Sequence, residues 1–373
     1  MSFITNIRSV AKYESKILVR SWFFRIFTLL AVVFLGFFNF AMMLMEDNFG
    51  LWFAKSVSSN IPYLNLLLLN TGQAVVAVFL SSEFLKRDKK LDTSEVFYVR
   101  PLSNAEYVVG KIWGNLRVFL FLNLLVLAIV LAFNFMASGV TVDLPAYLVY
   151  FFLISIPTLI FIIGLSIFLM LLLKNQALTF ILLLGYIGLT LFYIQDKFYY
   201  LFDYMVYNLP LFKSTIVGFS NLELILNHRA IYFFAGLGFI FFTIFLFKRL
   251  PNARRSHYPW LFLSFCMFLL MVTAGFRHVR SILREGEMRA LYTSINNKYV
   301  YEPKMAIDYY DISVEQKSET IRSVVGMEGT ALAASEVFIF CLNPGLRVEE
   351  VKDGEKSLNF KREEKKGDES VGG

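Results

Sequence analysis

Seven stretches of this chain are too apolar and too poor in charge to stay in water. They are Trp22–Met45, Pro62–Ser82, Val118–Met136, Tyr147–Leu173, Ala177–Ile194, Ala230–Phe247 and Trp260–Phe276. About twenty consecutive apolar residues are what a helix needs to cross hydrocarbon, and the last stretch, though short, suffices. A hydrophobic content of 57% and a mean hydropathy of +0.58 agree with that reading. The expected fold is therefore mainly α, a polytopic membrane protein. The first run follows a polar-rich start and has no small-residue cleavage site, so it is expected to remain as a span and not to be removed as a signal peptide.

The net charge of +7 is unevenly placed. Residues 1–276 hold 21 basic and 12 acidic side chains, whereas 277–373 hold 15 and 17. The excess sits in segments that flank spans, where it reports topology and gives no reason to invoke nucleic acid. With the N terminus inside, the inner connections carry 15 Lys and Arg and the outer ones carry 4. This places the N terminus and residues 83–111 in the cytoplasm and, after seven spans, the C-terminal segment outside. Arg277, Arg280, Arg284 and Arg289 sit badly on the outer side. Either 277–292 is an outer interfacial helix or 260–276 does not cross; the first option is kept.

Residues 1–21 precede the first span. Arg8, Lys12, Lys16 and Arg20 recur every four residues among apolar positions, the pattern of an amphipathic helix at the membrane interface with its cations toward lipid headgroups. Residues 195–229 are rich in Tyr and Phe, are broken at Pro210, and are too interrupted to span. They read as short re-entrant or interfacial helices forming an outer hairpin whose aromatics suit the headgroup level, an ordinary aromatic belt. A basic turn and the seventh span occupy 249–276.

The segment Glu83–Lys111 has six basic and five acidic residues, so it cannot lie in hydrocarbon. It also carries apolar anchors, among them Leu91, Val96, Phe97 and Leu102. Pro101 ends any preceding helix, and Ser103 with Glu106 forms a capping box that starts the helix leading into the third span. A surface segment that is structured in this way, and held by two span ends, is a docking device.

Glu83 at the end of a span, the basic cluster, Thr93 and Glu95, the Pro101-x-Ser103-x-x-Glu106 run and the Gly110–Lys111 pair resemble the type-2 export permeases of ABC transporters. The usual Gly before the Thr is Asp92 here. The resemblance implies a six-helix permease bundle over 22–248, with an interfacial elbow helix before it. It implies a coupling helix within 83–111 that docks on a separate cytoplasmic ATPase, with Glu83, Leu91, Thr93, Glu95, Val96, Phe97 and Pro101 as the coupling residues. It implies a second permease subunit, identical or related, membrane lipid as surroundings, and a bacterial inner (plasma) membrane location. For 195–229, similarity to these permeases implies an outer gate instead of a belt, with Tyr204, Tyr207, Pro210 and Phe212 as its candidates.

Within the segment 277–362, expected to be β-rich and outside, residues 293–362 change character. Alternation over Met305–Glu315, the dense run Val337–Leu342 and turn signals at Asn343–Pro344–Gly345 and Asp353–Gly354 predict part of a β-sandwich. The segment is similar to the opening β-domain of aminopeptidases of the aminopeptidase N family, which some bacterial permeases carry as a fusion. The charged residues 363–373 are expected to be disordered.

Several chemistries lack their residues. There is no GxxxxGK[S/T] and no HExxH among the three histidines, so neither ATP hydrolysis nor zinc peptidase chemistry is expected of this chain, and no cofactor or metal is expected either. Cys266 and Cys341 offer no disulfide framework. No carboxylate sits in mid-span, against an ion-coupled carrier. That carrier and an inactive relative or fragment of a permease–peptidase fusion remain the alternatives. Topology is directly measurable: with Cys266 and Cys341 replaced, a cysteine at Ser94 is expected to resist a membrane-impermeant thiol reagent added outside, and one at Ser335 to react. Protection at Ser335 removes the seventh span.

Overall fold

A backbone in hydrocarbon must satisfy its own N–H and C=O groups, and a helix does so within one segment. The computed structural model of the chain obeys this constraint through Lys298. It describes residues 3–44, 57–90, 102–136, 142–209, 211, 213–214, 218–219, 221–247, 258–302, 304–317, 320–343, 346–365 and 368–372, with backbone alone for 81–90 and 362–372. The helices are α1 (Phe3–Arg20), α2 (Trp22–Leu44), α3 (Asn60–Lys90), α4 (Asn104–Met136), α5 (Leu144–Tyr150), α6 (Ile156–Leu173), α7 (Gln176–Leu189), α8 (Leu222–Leu246) and α9 (Tyr258–Lys298). A π-turn over Phe151–Ser155 joins α5 to α6, and another over Thr190–Ile194 ends α7. Seven of the helical segments are long and apolar enough to cross a membrane, so the chain is a multi-pass membrane protein.

The chain divides into two compact units, Met1–Val279 and Arg280–Gly373. In the first, the spans alternate in direction. At one end, α1, the start of α4 and the end of α8 meet, with Tyr107 stacked on Phe247 at 5.4 Å. At the other end lie the start of α3, α5, residues 195–221 and the start of α8. The interior is filled from α3, α4, α6 and α8, whereas α2, α7 and α9 bury little of their surface.

Two helix crossings are so close that only glycine fits. A Cβ on Gly236 of α8 would lie 2.7 Å from the Ile160 carbonyl of α6, and one on Gly164 would lie 2.6 Å from the Gly236 oxygen. On α4, a Cβ at Gly110 would lie 2.7 Å from Val10 Cβ, and one at Gly114 would lie 2.8 Å from the Ala11 oxygen of α1. Small residues at such spacing let apolar helices gain contact that lipid cannot supply.

Several expectations are refined here. The sixth helix starts at Leu222, not near 230, so His228 and Arg229 belong to a helix and not to an interfacial hairpin. Among the described residues, the rest of that segment is turns and bends, not the short helices expected, with one 3₁₀ turn at Phe198–Tyr200. The seventh helix does not stop at Phe276 but continues to Lys298. It packs antiparallel along α8, with Ser264 Oγ donating to the Gly238 oxygen at 2.9 Å and His278 beside His228.

In the second unit, β1 (Met305–Lys317) pairs antiparallel with β2 (Thr320–Ala331), with a bulge between Ile307 and Tyr309. Val337–Leu342, expected as a strand, pairs with nothing among the described residues. Two short ribbons follow, β3 (Lys352–Asp353) with β4 (Lys356–Ser357), and β5 (Phe360–Lys365) with β6 (Asp368–Gly372). Residues 363–365 and 368–372 of the tail expected to be disordered belong to this last ribbon.

The Gly236 crossing predicts a specific failure. Gly236→Val forces α6 and α8 apart and is expected to cost about 1–3 kcal/mol or more of stability. Gly185→Val, where nothing lies within 4 Å, is the matched control. Thermal unfolding of both in detergent checks this; equal stability of the two variants contradicts the close crossing.

Candidate functional site

At the α1 end, the predicted capping box forms. Ser103 N donates to Glu106 Oε2 at 2.6 Å and Glu106 N donates to Ser103 Oγ at 3.1 Å. The second oxygen of Glu106 accepts from Asn6 Nδ2 of α1 at 2.8 Å, so the cap that starts α4 also ties it to α1. The two helices then run side by side in the same direction. Lys111 Nζ stands 3.0 Å from Glu14 Oε1, both nearly without exposure. Arg117 Nη2 donates to the Ala11 oxygen at 2.8 Å, and Ser15 Oγ donates to the Gly114 oxygen at 2.6 Å. Removing one partner of such a buried ion pair strands the other, so each is needed for α1 to stay seated on α4.

At the opposite end, the described residues of 195–221 are riveted to the helices. Tyr63 Oη donates to the Val206 oxygen at 3.1 Å, Tyr150 Oη donates to the Leu211 oxygen at 2.8 Å, and Lys213 pairs with Asp143 at 2.6 Å. Asp203, buried, accepts from the Tyr207 and Asn208 amides at 2.9 and 2.8 Å. Burial raises its carboxyl above the usual carboxylate range, although those amides and the Arg229 charge pull the other way.

Arg229 is the hub of this end. Pro157 has no N–H to offer the Leu153 carbonyl, and the π-turn displaces the neighbouring bonds. Arg229 supplies the missing donors: Nε to the Leu153 oxygen at 2.6 Å, Nη2 to the Ile154 oxygen at 3.4 Å and Thr158 Oγ1 at 2.8 Å, and Nη1 to the Tyr204 oxygen at 2.9 Å. One guanidinium therefore joins α8, the α5–α6 break and the 195–221 segment.

Beside it stand two of the three histidines. His228 and His278 lie with ring centroids 5.0 Å apart, and their Nε2 atoms bond the Tyr200 and Tyr199 oxygens at 2.9 and 2.8 Å. Phe198, Tyr199 and Tyr200 all have left-handed backbones, with φ of 52°, 59° and 61°. Non-glycine residues in that region cost on the order of 1–3 kcal/mol each, so the turn persists because its surroundings hold it.

Between the two ends lies a buried polar knot. Gln73 Nε2 donates to Asn70 Oδ1 at 2.6 Å, Asn123 Nδ2 to Gln73 Oε1 at 2.8 Å, and Ser155 Oγ to Asn123 Oδ1 at 2.8 Å. Asn39 and Asn65 form a reciprocal amide pair at 2.7 and 3.0 Å. These bonds link α2, α3, α4 and the π-turn.

Of the sequence candidates, Arg8, Lys12, Lys16 and Arg20 are exposed on α1. The apolar side of that helix, expected to meet lipid, is largely occupied by α4. Glu83 lies on α3, its side chain outside the described residues, and Leu91, Thr93, Glu95, Val96, Phe97 and Pro101 also lie outside them. Tyr204 is buried, stacked on Tyr186 at 5.6 Å, with its hydroxyl unpartnered among the described residues. Tyr207 is half-buried and its hydroxyl bonds Thr71. Together with Thr190, Gln195 and Asp203 these two tyrosines line a narrow cleft. Pro210 and Phe212 lie outside the described residues.

Sequence reasoning missed Arg229, Asp203, the histidine pair and Glu14–Lys111. Glu14 had a readable signal: it is the only acid in α1, three residues after Ala11 and four before Leu18, on the side that is buried. Among the described residues no group of three or more His, Cys, Asp or Glu could hold a metal ion. Comparison with protein-family models and with curated proteins found no match.

The hub predicts a sharp difference between cations. Lysine is a point charge that cannot span four acceptors, so Arg229→Lys leaves buried carbonyls unpaired. Each costs about 1–3 kcal/mol. The variant is expected to unfold at lower temperature and to expose 195–221 to protease; unchanged protection there contradicts the assigned role.

Proposed function

We propose that this chain is the membrane permease subunit of an ATP-driven exporter of the ABC type, working with an ATPase carried on another polypeptide and with a second permease subunit. On this reading the chain itself is not an enzyme and binds no cofactor. It sits in a bacterial inner membrane with its N terminus in the cytoplasm and its C-terminal segment outside. The observation that carries the reading is the joint at the exit of residues 83–111. A segment that receives force from a partner needs a stiff connection to a span, and α4 begins with a capping box, a close glycine crossing and the Glu14–Lys111 pair. The residues at which contact with the ATPase is expected, 91–101, rest on the sequence resemblance. At the far end, the turns over the bundle are read as the gate that the resemblance implies, a reading supported by the burial of Tyr204 and the half-burial of Tyr207.

An ion-coupled carrier is favoured by one observation, the buried Asp203 and Arg229. Both are already engaged with backbone groups, which speaks for a structural part. A peptidase reading lacks support from the sequence, which holds no HExxH.

Interfaces take their energy from a few buried apolar anchors, while rim lysines contribute little. Phe97→Ala is therefore expected to cost ~2 kcal/mol or more in ATPase binding, releasing the partner or uncoupling its hydrolysis while the spans still insert. Lys89→Ala and Lys90→Ala are expected to be nearly silent. Co-purification of the ATPase with each variant is the measurement. A Phe97→Ala chain that keeps partner and transport, beside lysine variants that lose both, overturns the coupling segment; transport without ATP, driven by an ion gradient, favours the carrier.

A further inference from the structure

The N-terminal helix has a side that the fold leaves uncovered. Ala11, Glu14 and Leu18 are buried against α4, whereas Arg8, Lys12, Lys16 and Arg20 are exposed. A four-residue step on a helix drifts by only ~40°, so these four cations form one row on the side away from α4. Arg25, at the start of α2, adds a fifth: its Nε donates to the Val19 oxygen at 3.0 Å, on the same exposed flank. None of the five has an ion pair among the described residues, and the only carboxylate of α1, Glu14, is held by Lys111. Five like charges gathered without a counter-charge among the described residues fit an anionic partner.

The neighbours of the row say which kind. Arg20 is separated by a single residue from Trp22, which opens the first apolar span and is 75% exposed, and Tyr13 on the same helix is 61% exposed. Trp and Tyr at a span boundary mark the headgroup level. Arg20 and Arg25 therefore bracket the edge of hydrocarbon. Protein interfaces also use Trp and Tyr, but Trp22 opens an apolar span, which puts the row beside headgroups.

We propose that the cationic side of the α1–α2 junction is a docking surface for anionic phospholipid headgroups. Because α1 is fastened lengthwise to the first turns of α4, lipid held there steadies the start of the third span as well. The proposal rests on the chain being a membrane protein and not on its being an exporter.

The test uses the full chain in phosphatidylcholine nanodiscs, with Trp52, Trp113 and Trp260 changed to Phe so that Trp22 alone reports. Brominated phosphatidylglycerol is expected to quench Trp22 more strongly than brominated phosphatidylcholine at equal fraction, with the difference fading as salt is raised. A surface cation is worth ~1 kcal/mol toward an anionic leaflet, so each change to Gln among Arg8, Lys12, Lys16 and Arg20 is expected to weaken the preference about fivefold. The salt titration of the unchanged row needs no cation variant and stands even if the fourfold variant does not fold. Equal quenching by the two lipids at low salt overturns the proposal. So does a preference that survives in the fourfold variant, or a row that instead retains an acidic protein while showing no lipid preference.

Discussion

Pro157 leaves the carbonyl of Leu153 without its helical donor, in the part of the chain where an unpaired backbone group is most costly. Arg229 answers that vacancy, and much of the architecture at that end follows from the answer. To reach Leu153 and Ile154 its guanidinium must be buried, and a buried cation must be surrounded by oxygen. The Tyr204 carbonyl and Thr158 hydroxyl complete the shell, which draws the 195–221 segment down onto the helices. Asp203 then lies within its field, its own oxygens held by backbone amides. A single local defect in one helix thereby fixes the position of a long irregular segment.

The opposite end uses the same logic with different parts. Glu14 and Lys111 are a buried pair, each tolerable only because of the other. They are brought together because Gly110 and Gly114 let α1 lie against α4 at backbone distance. Between these two fastenings the Asn70–Gln73–Asn123–Ser155 knot supplies directional bonds to helices that would otherwise have only dispersion to orient them. The bundle is stiffest where polar groups are buried, and those places are the two ends and the middle of α3, α4 and the π-turn. Any movement that opens this bundle has to exchange these bonds for others.

The left-handed run at Phe198–Tyr200 is the clearest stored strain among the described residues. His228 and His278 bond two of its carbonyls from two different helices, and the Tyr232 hydroxyl bonds the Leu201 carbonyl. Strain held in this way by side chains from separate spans couples the turn to the relative position of α8 and α9.

Which segments cross a membrane was written in the sequence, because hydropathy over twenty residues is a local property and so is the capping box at Ser103–Glu106. The amphipathic row on α1 was equally legible, since a four-residue spacing needs no knowledge of neighbours. What covers the other side of that helix was not. Whether Ile7, Val10 and Ala11 face lipid or α4 depends on two glycines about a hundred positions away. The same holds for Arg229 and His228, which fall in a connection by hydropathy although α8 starts at Leu222, and for His278, which lies past Phe276 on α9. The sequence by itself determined the helical, multi-pass class of this protein, for hydrocarbon permits few alternatives. Only the tertiary structure decided which polar residues meet, because a buried charge is placed by the distant carbonyl or carboxylate that makes its burial bearable.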